Sequence, residues 1–247
     1  MRRLVIFLTL IILLAAAFQL SRLVQNWHYV ISGEPGELLY ATTFDTFPND
    51  WEVYDERNLA QIVDGAMQIY LARAGRIVYS ATEPYFDDFD ITVDTQALSG
   101  AEDNAYGVVF RQRDRNNLYA FLISSNGFYS VERTIDGSTK PLSQWFASDL
   151  INQGLNVVNR LRVVAFDNHF QFYINEERVD LCIPDDPNAV STIDVQGGCM
   201  EGQWLETLTD DSLRYGRLAV GVKADPSVDI TVAFDNVIVY GAQPIAE

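Results

Sequence analysis

Lysine is almost missing from this 247-residue chain: Lys140 and Lys223 are the only two. Cations of both kinds number 17 against 34 Asp and Glu, a formal net charge of −17 at pH 7. That excess repels phosphate backbones and excludes nucleic acid as a partner. Histidine and cysteine are equally scarce, at two residues each, too few for a zinc, haem or iron–sulfur centre. His28 lies beside a membrane-type segment and His169 beside a turn, so no Ser/His/Asp arrangement is in prospect and both read as surface residues. Helical periodicity is also missing beyond residue 37. What is present is apolar material, 48% of positions with 14 Phe, 12 Tyr and 4 Trp. That is ample for a packed core and too much for a disordered chain.

The first 24 residues differ from the rest. Arg2 and Arg3 precede an uncharged run from Leu4 to Leu20, which as a helix spans roughly 25 Å against a bilayer core of about 30 Å. Extension to Val24 with Arg22 snorkelling closes the gap, and Trp27 and Tyr29 fall at interfacial positions. The positive-inside rule then puts residue 1 in the cytoplasm and the remainder outside, as a single-pass protein of the cell membrane. The rival reading is a cleaved signal peptide ending at Ala15-Ala16-Ala17. Both readings export the chain. The expected division is an anchor over 1–26, a linker over 27–36, a β domain over 37–242 and a tail over 243–247. In an oxidising compartment Cys182 and Cys199 form a disulfide; closing the 16 residues between them contributes about 3 kcal/mol by chain entropy.

From Glu37 onward the pattern is one short strand after another. Phe89 to Asp94 alternates apolar and polar residues. Tyr106–Arg113, Leu118–Ser124 and Phe128–Arg133 read as consecutive strands joined by 114–117 and 125–127, both rich in turn-forming Asn, Asp and Gly. Asn159–Phe166 with His169–Ile174, then Arg178–Cys182, Arg217–Lys223 and Asp229–Tyr240 continue the series. Regular strands with turns every 8 to 12 residues predict an all-β, two-sheet antiparallel jelly-roll sandwich behind the N-terminal transmembrane helix. Ala147–Ile151 is expected to form a helical turn, and residues 184–204 an irregular loop pinned by the disulfide.

Certain residues resemble a known superfamily. Asp103-Asn104-Ala105-Tyr106-Gly107-Val108-Val109-Phe110-Arg111, continuing through Asn117–Phe121 to Gly127-Phe128-Tyr129, is similar to exported bacterial concanavalin A-like lectin/glucanase domains. So are Asn159–Val163, Phe170–Asn175 and the closing Ala233-Phe234-Asp235-Asn236-Val237. The superfamily includes laminin-G-like modules and the keto-disaccharide hydrolase type. The resemblance covers about residues 38 to 241 and implies the sandwich fold. Its glucanases carry Glu-x-Asp-x-x-Glu on one strand; no such spacing occurs here. Asp88, Asp90 and Asp94 share a strand face but read as solubilising edge carboxylates rather than a glycosidase pair.

The sequence therefore points to binding rather than catalysis. Saccharide recognition needs flat apolar faces for ring C–H groups and planar polar groups for hydroxyls. On strand parity Arg111 and Arg113 share one face of a concave sheet, with Tyr119, Tyr129 and Arg133 on adjacent strands, Gln171 and Tyr173 competing for opposite faces, and Trp145 and Trp204 in loops. Asp185, Asp186, Asn188 and Asp194 crowd the disulfide loop, followed by Asp210 and Asp211, and could supply oxygens to a structural calcium; Asp45 and Asp235 lie near the first and last strands. No other cofactor is expected. Three functions follow: a membrane-anchored, non-enzymatic module recognising a glycan or protein surface; an accessory subunit covering the extracytoplasmic side of a membrane complex; and a saccharide hydrolase of the keto-disaccharide type.

Overall fold

Residues 89 to 97 alternate buried and half-buried without a break, the period-2 pattern of a strand with one face in a core. In the computed structural model, which describes residues 11–14, 16–17, 29–46, 48–224 and 227–245, this Phe89–Ser99 strand lies inside a ten-stranded sheet. Its neighbours run Glu177–Arg178, His169–Ile174, Val158–Phe166, Phe89–Ser99, Ile230–Tyr240, Ala66–Leu71, Leu59–Val63, Tyr54–Asp55, with Leu208–Thr209 beside His169–Ile174 and Leu38–Thr42 beside Ile230–Tyr240. The second sheet has seven strands: Val30–Ile31, Val78–Phe86, Gly216–Lys223, Ala105–Asp114, Asn117–Ser124, Phe128–Ile135 and Ser138–Ala147. Pairing is antiparallel except where Val30–Ile31 runs parallel to Tyr85–Phe86.

The sheets close on one core. Phe89, Ile91 and Val93 meet Tyr106, Val108, Phe110, Tyr119, Phe121 and Ile123 from the facing sheet. Phe110 stacks on Tyr119 at 5.2 Å, and Phe121 lies 5.0 Å from Phe172. Each such side chain contributes about 1.5–3 kcal/mol by leaving water, so the aromatic content read from composition becomes the material between the sheets. The all-β sandwich of two curled sheets is thus the architecture expected.

Three local expectations fail. Ala147–Ile151 is a turn and not helix, because the Ser148 N–H donates to the Gly127 carbonyl and buried Ile151 is drawn into the core. The strand expected over 178–182 is broken: Val179 turns inward, its N–H donating to the Phe172 carbonyl, and the chain resumes as Leu181–Pro184. The loop 184–204 is ordered into two small hairpins, Leu181–Pro184 with Gly202–Leu205 and Thr192–Ile193 with Cys199–Met200.

The Cys182–Cys199 disulfide is formed, with Cα atoms 5.4 Å apart. The acidic side chains around it serve local turns: Asp186 accepts from the Asn188 N–H, Asp194 from the N–H groups of Gln196 and Gly198, and Asp185 from the Gln203 amide. Among the described residues no group of three or more His, Cys, Asp or Glu is arranged to hold a metal ion. Cys182→Ser should leave the sandwich folded while loosening 183–198, because only the two short hairpins, these turns and single bonds from Lys140 and Trp204 then hold the segment. Limited proteolysis checks it: cleavage within 183–198 should accelerate, and an unchanged digestion pattern would contradict it.

The anchor expected over 1–26 lies mostly outside the described residues; of it only 11–14 and 16–17 are described, as helix. Among the described residues no helix is long and apolar enough to cross a membrane.

Candidate binding site

The outer face of the seven-stranded sheet is made of unusually small side chains. One rung reads Ala81, Ala219, Val109, Ala120 and Glu132 across five strands, and the next reads Tyr79, Gly221, Gly107, Leu122 and Ser130. Ala81, Ala105, Val109, Leu118, Ala120, Leu122 and Ala219 form a second apolar cluster there, separate from the core, with Ile77, Tyr79 and Trp145 packed against it. The low floor admits a chain crossing. A Cβ on Gly221 would lie 3.0 Å from Ile77 and 3.1 Å from Val109, so Gly221 lets Ile77 settle on the sheet. The segment before it is fixed by the Gly75 N–H to the Ala224 carbonyl and by Arg76 Nη1 to Asn116 Oδ1 at 2.9 Å.

Between that crossing and the hairpin ends lies a cavity of about 330 Å³, lined by Ile77, Leu118 and Ala120 as floor, and Arg76, Arg115, Glu132, Thr134, Thr139 and Lys223 as polar wall. Its size is at the low end for small-ligand pockets, about 300–1,000 Å³. Glu132 is only 7% exposed; Lys223 Nζ donates to both its carboxylate oxygens at 2.7 Å. Thr134 and Thr139 share a hydroxyl–hydroxyl bond of 2.8 Å, which leaves one proton free to donate. Three cations face one carboxylate, on a chain whose net charge is −17. A partly buried ion pair adds little to stability over an apolar pair of equal volume, and the cavity presents charged and hydroxyl groups above an apolar floor.

The residues expected to bind ligand are mostly elsewhere. Arg111 is fully buried at a bulge with φ of +48°, donating to the carbonyls of Leu213 (2.9 Å), Asp87 (3.3 Å) and Asp167, 3.7 Å from Asp88 and over the Phe170 ring. Burial pulls its guanidinium pKa down. The bulge breaks the parity that was to put Arg113 on the same face; Arg113 is exposed, stacked 3.8 Å over Tyr215. Tyr119 is interior, its hydroxyl bound to Asp210, and Arg133 donates to Asp210 and Ser212. Burial alone would raise the Asp210 carboxyl, but hydrogen bonds from Tyr119 and Ser212, with Arg133 nearby, hold it below the ordinary value. Tyr129 is buried, its hydroxyl donating to the Asp180 carbonyl; burial pushes it up to about 12.

Of the seven expected residues only Trp145 lies on the outer face just described. Trp204 stands on the disulfide-linked hairpin, paired with Cys182 and edge-on to Phe146 at 5.2 Å, away from that outer face. The residues that line the cavity were missed. The strand from Asn117 to Ser124 is buried on both faces, so alternation could not tell inside from outside. A difference in bulk could have: Tyr119, Phe121 and Ile123 face the core, whereas Leu118, Ala120 and Leu122 face out.

The strand carboxylates belong to the other sheet. Asp90 and Asp94 are held two-pronged by Arg162 (2.7 and 2.7 Å) and Arg160 (2.7 and 3.0 Å) on the adjacent strand, and Asp88 accepts from the Asp167 N–H. Each therefore has a structural partner.

No family model and no curated protein matches the chain. Solved structures do match in fold. A carbohydrate-binding module, CBM66 from Bacillus subtilis, aligns at 15% identity with a TM-score of 0.54, over 78% of this chain and 98% of that one. A protein of unknown function with a galectin-like fold from the same species aligns at 10% identity and a TM-score of 0.57, over 85% and 99%. A putative glycosyl hydrolase from Parabacteroides distasonis aligns at 14% and 0.51, over 81% and 98%. The chain thus shares the curled β-sandwich of these proteins along nearly their whole length.

Proposed function

We propose that the chain is an exported, membrane-anchored, non-enzymatic β-sandwich that holds a saccharide in the cavity on its seven-stranded sheet. The observation that carries this reading is the Glu132–Lys223 pair standing over the apolar floor of Leu118, Ala120 and Ile77. The floor accepts the C–H face of a sugar ring, and the pair with Thr134 and Thr139 exchanges hydrogen bonds with hydroxyls. The carbohydrate-binding and galectin-like structures that share the fold support it. Export and anchoring are supported by the uncharged Leu4–Leu20 run behind Arg2 and Arg3, and export also by the closed disulfide.

Recognition fits this cavity better than hydrolysis. A glycosidase needs two carboxyl groups about 5–9.5 Å apart, one of them free to carry a proton, whereas Glu132 is the single acid in the cavity wall. The excess of Arg76, Arg115 and Lys223 over that one carboxylate favours an acidic sugar.

Calorimetry on the full chain in detergent, with glucose, galactose, glucuronate and galacturonate as ligands, tests the proposal. A uronate should bind tighter than its neutral parent by about tenfold, and Arg115→Ala, an exposed change, should remove that preference. Absence of binding to all four sugars, or binding indifferent to both Arg115→Ala and Glu132→Gln, would sink it. Reducing-sugar release from disaccharides that is abolished by Glu132→Gln would instead make the chain a hydrolase.

A further inference from the structure

We infer that the chain carries a second, independent saccharide site: a trough that starts on the outer side of the ten-stranded sheet, passes round its Glu177–Arg178 edge and accepts an extended, neutral polysaccharide. The trough consists of three joined depressions. The first, about 530 Å³, lies over the rung Gln171, Val164, Asp90 and Tyr240, with Arg162 and Tyr173 from the next rung. The second, about 860 Å³, shares Gln171 with it and continues past His169 to Trp204 and Arg178. The third, about 420 Å³, shares Trp204 and Arg178 and ends at Tyr129.

Its chemistry differs from that of the small cavity. The ion pairs along it close on themselves: Arg162 takes Asp90 two-pronged while covering the Tyr173 ring at 4.7 Å, and Arg178 pairs with Glu206. A ligand therefore meets no excess of cations, and the one carboxylate without an ion pair along it, Asp180 in the third depression, disfavours an acidic sugar. What it meets are aromatic surfaces spread along the length, with Trp204 and Tyr240 each 39% exposed, and planar or hydroxyl groups linked in series, Tyr173 to Gln171 at 3.0 Å and Gln171 to Thr207 at 3.2 Å. Three adjoining depressions suit a polymer rather than one ring. An extended polypeptide fits less well, because the first depression is floored by a sheet face whose backbone groups are already paired across four strands, whereas a glycan brings hydroxyls that side chains can meet. The Cys182–Cys199 bridge gains a role here. Trp204 sits opposite Cys182 in the hairpin, its indole N–H on the Gly197 carbonyl at 3.1 Å, so the disulfide fixes the aromatic that joins the second and third depressions.

The test titrates the full chain with neutral gluco-, xylo- and fructo-hexasaccharides and with the corresponding monosaccharides. At least one hexasaccharide should bind, with the monosaccharide weaker by about a hundredfold or more. Tyr240→Ala and Trp204→Ala should each weaken the hexasaccharide at least about tenfold with uronate binding unchanged, which shows that the sandwich is still folded. Arg115→Ala, which removes the uronate preference, should leave hexasaccharide binding as it was. Hexasaccharide binding lost in Arg115→Ala but intact in Tyr240→Ala and Trp204→Ala would overturn the trough while leaving the cavity reading standing. No binding of any hexasaccharide would overturn it as well, whatever the uronates do.

Discussion

Arg111→Met is expected to destabilise the sandwich by about 3–5 kcal/mol, because it removes a fully buried donor from three backbone carbonyls at once, the buried one of Leu213 and the part-buried ones of Asp87 and Asp167. The carbonyls of Asp87, Asp167 and Leu213 belong to three separate connections at one end of the fold. Arg111 is the single side chain that bonds all three. A neutral side chain of similar length fills the space over Phe170 but donates nothing, and each carbonyl left dry costs about 1–3 kcal/mol. For a chain of this size the loss is a fall of about 8–15 °C in melting temperature by circular dichroism. Arg111→Lys should fall between, since one ammonium cannot reach three directions with the geometry of a planar fork. A change below about 1 kcal/mol in Arg111→Met would mean that water replaces the guanidinium and that the clamp is incidental.

Lys223→Met is expected to have the second large effect. Glu132 has a side chain only 9% exposed, and Lys223 is the cation that neutralises it. Removing the lysine takes the one ion pair from a nearly buried carboxylate, since Arg76 and Arg115 stand in the cavity wall without pairing with it, a loss of about 3 kcal/mol at neutral pH after allowance for the partial exposure of Lys223. The double variant Lys223→Met/Glu132→Gln, with no carboxylate left to desolvate, should be nearer the parent in melting temperature than Lys223→Met alone. A double variant no more stable than Lys223→Met would show that Glu132 stays solvated without its partner.

The two residues illustrate what the sequence does and does not carry. Strands were legible wherever one face alone is buried: Phe89-Asp90-Ile91-Thr92-Val93-Asp94 announces both its conformation and its inner face. His169–Ile174 was legible to the residue, and the disulfide followed from two cysteines and the expectation of export. Orientation became illegible where strands are buried on both sides. In Asn117–Ser124 the expected place of Tyr119 beside Arg111 and Arg113 on a concave face fails, because that ring is core and only its hydroxyl reaches Asp210. Arg111 could not be placed by parity because a bulge between Phe110 and Asp114 shifts the register, and bulges leave no periodic mark. Lys223 and Glu132 are 91 positions apart and meet only through the strand order. Their rarity was the available hint: one of two lysines, placed at the end of a strand otherwise made of small and apolar residues.

The most direct check on the account is a crystal structure of the chain with a bound uronate. The account predicts the sugar ring lying on Leu118 and Ala120, with its carboxylate towards Arg115 and a hydroxyl on Glu132. A uronate seated on the interior side of the sheet, in contact with Arg133 or Tyr119, or one bound only at the disulfide hairpin with the cavity unfilled, would contradict it.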